Sequence, residues 1–257
     1  MIFKSSTSGG NALAPVVGLS AAEAYCLLCS AYLHDMGMVV SPGTQSEILD
    51  SAAWQSFVAQ GGKGHDGYLK YTLIRTNAQN ENSDKAHFFA DAALRHLIAD
   101  FVRRDHHERA VTTLQMHDFL RQLVDDGDSV AFETIAAICA GHGLDDRDLA
   151  DKERFPEERD VFGEKVNVRF LARLLRIGDL LDMDTRRTDP MSAKAVTPLP
   201  PDATPHWKQY STKKHENVSP EEIAFRFECK DQDTHRVLRD WLGWLESEVR
   251  STALGQM

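Results

Sequence analysis

The sequence predicts a mainly α-helical domain, a bundle of helices, with a small β-containing extension toward its C-terminal end. Three observations predict it. Apolar residues recur at helical spacing through 21–33, 88–101, 132–140 and 168–183, the signature of helices with a core-facing side. The first of these runs is apolar nearly all round, as a buried helix is. The tail then changes character: Pro198, Pro200, Pro201 and Pro205 interrupt helix, and Ile223-Ala224-Phe225-Arg226-Phe227-Glu228-Cys229 alternates at the period of a half-buried strand.

Taken in order, residues 1–18 read as a flexible lead rich in Ser, Gly and Ala. Ser20 is placed to cap the helix 21–33, with Glu23 completing a capping box. That helix ends in His34-Asp35-Met36-Gly37, which reads either as a metal-binding pair or as a helix C-terminus with Gly37 as a left-handed cap and the polar pair at the surface. Ser41-Pro42-Gly43 breaks the chain, and 48–58 predicts one short helix carrying Trp54. Residues 61–82, Gly- and Asn-rich without clear periodicity, read as a long surface loop of the lid or binding kind.

Helical spacing returns with Phe88, Ala92, Leu94, Leu97, Ile98 and Phe101 and runs into Arg103-Arg104-Asp105-His106-His107-Glu108-Arg109. Residues 114–123 predict a further helix, Asp125 to Asp128 a turn, and 132–140 an apolar helix that stops at Gly141-His142-Gly143. A charged loop, 145–160, leads to the helix 168–183. A final amphipathic helix over about 234–249 carries Trp241 and Trp244 on its apolar face. The expected division is a lead at 1–18, a helical domain at 19–190, and a β extension with terminal helix at 191–257.

Composition narrows the function classes. An apolar fraction of 42% and a charged fraction of 26% are those of an ordinary globular protein. A net charge of -10 argues against a protein that coats nucleic acid, which needs a basic face. It leaves room for a small phosphorylated substrate. No apolar run reaches the length of a membrane span, and the first residues lack the basic start and apolar core of a signal peptide. Cys26 and Cys29 have CxxC spacing but lie inside an apolar helix, where cysteine behaves as a small hydrophobe. A reducing, cytoplasmic setting is expected.

Four polar clusters sit at the ends of, or inside, apolar helices: His34-Asp35, His106-His107, His142, and Asp179 within Leu174-Leu175-Arg176-Ile177-Gly178-Asp179-Leu180-Leu181-Asp182. Each has a structural reading. His106-His107 lies in a dense charged run that reads as a solvated face. His142 reads as a histidine at a helix terminus, and Asp179 as the i,i+3 partner of Arg176. Together they point to metal, because several imidazoles and carboxylates at core-facing helix ends form a ligand set for a divalent cation.

The order Leu33-His34-Asp35-Met36-Gly37, Arg103-x-x-His106-His107-Glu108-Arg109, Ile138-x-x-x-His142 and the Leu174 to Asp182 helix resembles the HD superfamily of metal-dependent phosphohydrolases. Within it, the chain is similar to HD domains of prokaryotic conflict-type proteins, often joined to a chaperone- or gyrase-like ATPase module. The stretch from Pro205 to Cys229 resembles the short β extension of that group. The resemblance implies that His34 and Asp35 are the name-giving doublet and that Asp179 is the final aspartate ligand. It implies His106 and His142 as the extra histidines of members holding two metals, with Asp35 bridging. Arg103, Arg109 and Arg176 would face phosphate or buttress ligands. His107 and Asp182 are the alternatives one turn away, and His107 would also serve the leaving group.

The resemblance further implies one or two divalent ions (Mn, Mg, Fe, Ni or Zn), a nucleotide or other phosphate ester as substrate, and an ATPase module as a partner in cis or in trans. One element departs from the pattern, which begins with a histidine on a helix before the doublet: residues 1–33 contain none. That leaves two expectations, a phosphohydrolase on a shortened scaffold, or a degenerate module that binds nucleotide or a partner protein without turnover. A purely structural interaction domain with Trp207, Trp241 and Trp244 as contacts ranks below both.

Overall fold

The computed structural model describes residues 2–6, 18–81, 83–125, 127–182, 210, 212–219 and 222–254. In chain order its elements are β1 (Ile2–Ser6), α1 (Ala21–Leu33), a 3-10 turn (His34–Met38), α2 (Pro42–Asp50), α3 (Ala52–Ala59), α4 (Lys63–Glu81), α5 (Asp84–Arg103), α6 (His106–Met116), α7 (Asp118–Asp125), α8 (Ser129–Gly141), a short 3-10 turn (Asp148–Ala150), β2 (Arg159–Val161), β3 (Glu164–Val166), α9 (Val168–Leu181), β4 (Lys213–Val218), β5 (Glu222–Phe227) and α10 (Gln232–Leu254). The fold is mainly α with a small β-containing C-terminal part. The expected proline-broken stretch at 198–205 and Trp207 lie outside the described residues.

Packing divides the chain into two compact units, Met1–His34 with His117–Met257, and Asp35–Met116. This differs from the division at 18 and 190 read from composition. In the first unit, α1 begins with the expected capping box: Ser20 Oγ accepts from Glu23 N at 3.2 Å, and Glu23 Oε2 accepts from Ser20 N at 3.1 Å. Midway along α1, the buried Ser30 hydroxyl donates to its own helix at Cys26 O, 2.7 Å, and faces Ile135 O of α8 at 3.5 Å. Cys139 Sγ lies 3.8 Å from Ser30 O. These contacts bring the C-terminal halves of α1 and α8 side by side.

The CxxC cysteines are free thiols. Burial pushes the Cys26 thiol up to about 12, and likewise Cys139, so neither carries the thiolate that reactivity needs.

In the same unit, β5 is the centre strand of an antiparallel sheet ordered β1-β5-β4. It matches the alternating stretch read from sequence. Its partner β1 corrects the expected lead: residues 2–6 pair with 222–226, Ile2 opposite Arg226 and Ser6 opposite Glu222. Five residues ending in Lys-Ser-Ser carry too little alternation to announce a strand alone. Phe225 and Phe227 of β5 pack with Leu238, Trp241, Leu242 and Leu245 of α10, and with Ile177, Leu180 and Leu181 of α9. Trp241 is buried as expected, but Trp244 is 61% exposed. At 100° per residue it lies roughly 110° from the centre of the Leu238-Trp241-Leu242-Leu245 stripe. An unexpected hairpin, 159–166, closes the charged stretch 145–160 and runs on to α9: Val161 opposes Glu164 across Phe162 and Gly163, both at positive φ, the conformation that a type I′ hairpin loop requires.

The second unit packs Ile48, Trp54, Val58, Leu97, Ile98 and Val102 into its own core. The single helix expected over 48–58 is two, because Ser51 ends α2 and caps α3, its hydroxyl accepting from Trp54 N at 3.1 Å. Residue 82 of the expected loop 61–82 lies outside the described residues, and residues 63–81 are instead the 19-residue helix α4. Their glycines serve contact rather than turn formation. A Cβ on Gly64 would meet Phe57 within 2.5 Å, and one on Gly67 would lie 2.8 Å from Leu97 Cδ1. Glycine at a helix–helix contact removes apolar periodicity from the sequence while permitting close approach, which is why the segment did not read as helix. Likewise the helix expected over 114–123 is α6 and α7, parted at His117.

Candidate metal centre

Each expected histidine ligand stands at a helix terminus. His34 is the C-cap of α1, His142 the C-cap of α8, and His106 the first residue of α6. All three adopt one local arrangement, with Nδ1 against the carbonyl three residues earlier: His34 on Ala31 O at 3.0 Å, His106 on Arg103 O at 2.9 Å, His142 on Cys139 O at 2.5 Å. A carbonyl only accepts, so Nδ1 carries a proton, and in the neutral ring the lone pair is then on Nε2. Anchoring one ring nitrogen on backbone fixes both the orientation and the tautomer in which the other binds metal.

In the first unit, these constraints bring three expected ligands together. The His34 and His142 rings lie edge to face with centroids 4.8 Å apart, and their ligand nitrogens lie within 4.8 Å of each other. Asp179, in the last turn of α9, places Oδ1 3.6 Å from His34 Nε2. The structural reading of Asp179 offers Arg176 as its partner. Arg176 instead pairs with Glu248 of α10 and lies 3.7 Å from Asp146.

In the second unit the same motif repeats. His106 Nε2 lies 3.5 Å from Asp35 Oδ1. His106 is 18% exposed in its side chain and Asp35 63%, while His34 is 14% and Asp179 47%. In each pair a sheltered imidazole faces a half-open carboxylate.

Both pairs fit a divalent cation on distance and on charge. A lone pair on Nε2 facing a carboxylate oxygen is repulsive unless a cation or a proton lies between them. A charge-assisted hydrogen bond from a protonated ring would close to about 2.7–2.9 Å, well inside the 3.5 and 3.6 Å observed. Nitrogen and oxygen ligands about 2.0–2.2 Å from one ion stand about 3.0–3.5 Å apart in octahedral to tetrahedral arrangements.

Gly37 is the second signature of the doublet, and it is not a left-handed cap. A Cβ there would fall 1.9 Å from His106 O and 2.7 Å from Ala110 N, so the first turn of α6 rests on its backbone. Arg109 Nε donates to Gly37 O at 3.1 Å. Of the remaining candidates, the Arg103 side chain is exposed, and its carbonyl anchors His106. His107 packs its ring against that of His106 at 5.8 Å. Asp182 is exposed and ends α9 with its backbone N–H on Asp179 O and Gly178 O. Sequence reasoning missed Arg173, Asp146 and Glu248. The Arg-x-x-Arg spacing of Arg173 and Arg176 on one helix face was the available signal.

Helix ends converging on paired imidazoles and carboxylates, in a mainly helical frame, define a protein with an HD-type domain. The HD-CE family model matches residues 10–251, and the chain belongs to the HD-CE family. No curated protein matches it, and no solved structure does. Among the described residues, no helix is long and apolar enough to cross a membrane.

Proposed function

We propose that this protein is a metal-dependent phosphohydrolase acting on a nucleotide or other phosphate ester. The observation that carries the reading is the repeated Nδ1-to-backbone anchor, which aims the Nε2 lone pairs of His34 and His106 at carboxylates 3.6 and 3.5 Å away. His34, His142, Asp179, Asp35 and His106 would hold one or two divalent ions, of Mn, Mg, Fe, Ni or Zn. Asp35 would be the bridge, the role that the resemblance to HD domains implies for it. A bound divalent ion supplies a water of lowered pKa and neutralises phosphoryl charge.

The chain's own residues do the rest. The backbone carbonyls of Ala31, Arg103 and Cys139 hold three imidazoles in the ligating tautomer. Arg109 fixes the Gly37 backbone under the doublet. Arg103 and Arg176 would supply positive charge for phosphoryl oxygens, and His107 or an arginine would stabilise the charge developing on the leaving group. Four free cysteines fit a cytoplasmic setting. An ATPase module in cis or trans is the partner we propose.

The test is turnover of a phosphate-ester panel (nucleoside mono- and triphosphates, cyclic dinucleotides) with Mn²⁺, Mg²⁺, Fe²⁺, Ni²⁺ or Zn²⁺ added in turn. Metal-dependent phosphate release supports the reading. The absence of histidine from residues 1–33 favours a second reading, a module that binds without turnover. Metal-dependent nucleotide binding with no release under any ion would establish that one instead.

A further inference from the structure

Three arginines line one side of α9, and they are not alike. Arg169 is fully engaged: Nε donates to Leu149 O at 2.7 Å, Nη1 to Glu157 Oε1 at 3.0 Å and Nη2 to Ala150 O at 3.3 Å. It ties the loop after α8 to the helix, as a structural arginine does. Arg173 and Arg176 are just as sheltered, each 14% exposed in its side chain. Yet among the described residues Arg173 Nε and Arg176 Nη1 are buried donors with no hydrogen-bond acceptor. Leaving such a donor unmade costs about 1–3 kcal/mol, more when charged, and two adjacent cases on one helix call for a reason.

Both donors face the same oxygen. Asp146 Oδ1 lies 3.9 Å from Arg173 Nε and 3.7 Å from Arg176 Nη1, close enough for charge pairing and too far for a hydrogen bond. Asp146 itself is 48% exposed and covers the pair from the solvent side. The loop beneath it is pinned by its neighbour. Asp145 Oδ1 accepts from Asp148 N at 3.0 Å and Arg147 N at 2.8 Å, and these bonds hold the Asp145 carboxyl below the usual carboxylate range. The Asp146 side chain can therefore leave without unravelling the loop. Arg176 stands one turn before Asp179, about 4.5 Å along the helix axis, and Asp146 follows His142 by four residues.

We propose that Arg173 and Arg176 form the subsite for a phosphoryl group, and that the Asp146 carboxylate is the internal anion which that group displaces. A tetrahedral phosphoryl group has oxygens enough to meet both donors at charge-assisted distances, where one carboxylate oxygen meets neither. The assignment of phosphate, rather than another anion, rests on the proposed phosphohydrolase function. It also assigns Asp146 a regulatory effect: by competing for the subsite, it weakens phosphate binding.

The experiment uses the full chain with chelator present, so that neither metal nor turnover contributes, and inorganic phosphate as the probe, followed by ³¹P NMR titration. Asp146→Asn removes the competing charge at constant size and should tighten phosphate binding roughly tenfold. Arg173→Gln, which breaks no hydrogen bond of the described residues, should weaken it by a similar factor. Thermal melting establishes that both variants fold. An Asp146→Asn protein that binds phosphate no better than wild type overturns the proposal, and so does one that fails to fold, since a displaceable anion is dispensable to the fold. An Arg173→Gln protein with unchanged affinity overturns it as well. Loss of hydrolysis with this pattern intact would count against the phosphohydrolase reading alone.

Discussion

His34 Nε2 and Asp179 Oδ1, remote in sequence, stand 3.6 Å apart with the histidine proton held on the opposite nitrogen by Ala31 O. That arrangement is poor for a hydrogen bond and good for a shared cation. The ends of α1 and α9 enforce it, one supplying the anchored ring and the other the carboxylate.

Gly37→Ala should destabilise the Asp35–Met116 unit, because its Cβ would overlap His106 O. Overpacking of this kind costs roughly 1–3 kcal/mol and sometimes more. The same displacement of the first turn of α6 moves His106, so metal affinity should fall along with stability. Chemical denaturation and metal titration of the variant measure both. An alanine variant with wild-type stability would contradict the close approach of α6 to the doublet.

Helix α4 offers a test of the corrected segment. Amides of residues 67–81 should be protected in hydrogen exchange to a degree comparable with α5. Gly64→Ala should strip that protection, since its Cβ would press on Phe57. Rapid exchange throughout 63–81 in the wild type would restore the loop reading.

The sequence made most helices legible, and it made the ligands legible for a reason that also explains the misses. His34-Asp35, His142 and Asp179 interrupt apolar runs, and polarity where burial is expected stands out. Helix α4 lacked the contrast, because Gly64 and Gly67 replace apolar side chains at its contacts. Strand β1 and the β2–β3 hairpin are too short to show a period. The pairing of Arg176 was not legible, because Glu248 lies on α10 and only tertiary packing brings it there. Gly37 was noticed for the wrong property: it gives space to α6, not a left-handed turn.

Glu248→Ala should be among the most destabilising single changes. Arg176 and Glu248 are 14% and 15% exposed in their side chains and join α9 to α10. Removing one partner of a buried pair costs roughly 3–5 kcal/mol. Denaturant unfolding measures it, and a loss below about 1 kcal/mol, the range of an exposed pair, would show that the pair is not the tie between these helices.

Stability should fall with rising alkalinity through Cys26 and Cys139. Their thiols are raised from 9.0 to about 12 by burial, so between these values the unfolded chain releases protons that the folded chain keeps. Unfolding then becomes more favourable as pH rises. Below about pH 9 the contribution is fully present. Cys26→Ala with Cys139→Ala should flatten the dependence between about pH 9 and 11, and an unchanged slope would contradict the burial of these thiols.

The central claim, that these imidazoles and carboxylates hold a divalent cation, is tested most directly by thermal melting of wild type and Asp179→Ala, each in chelator and in Mn²⁺. Asp179 is half exposed and its contact with His34 is long, so in chelator the two proteins should melt alike, within about 1 kcal/mol. Mn²⁺ should raise the wild-type melting temperature in a concentration-dependent way and leave the variant where it was. A wild-type melting temperature indifferent to Mn²⁺ and to the other divalent ions, with a large drop for the variant in chelator, would contradict the metal centre and make Asp179 a structural residue.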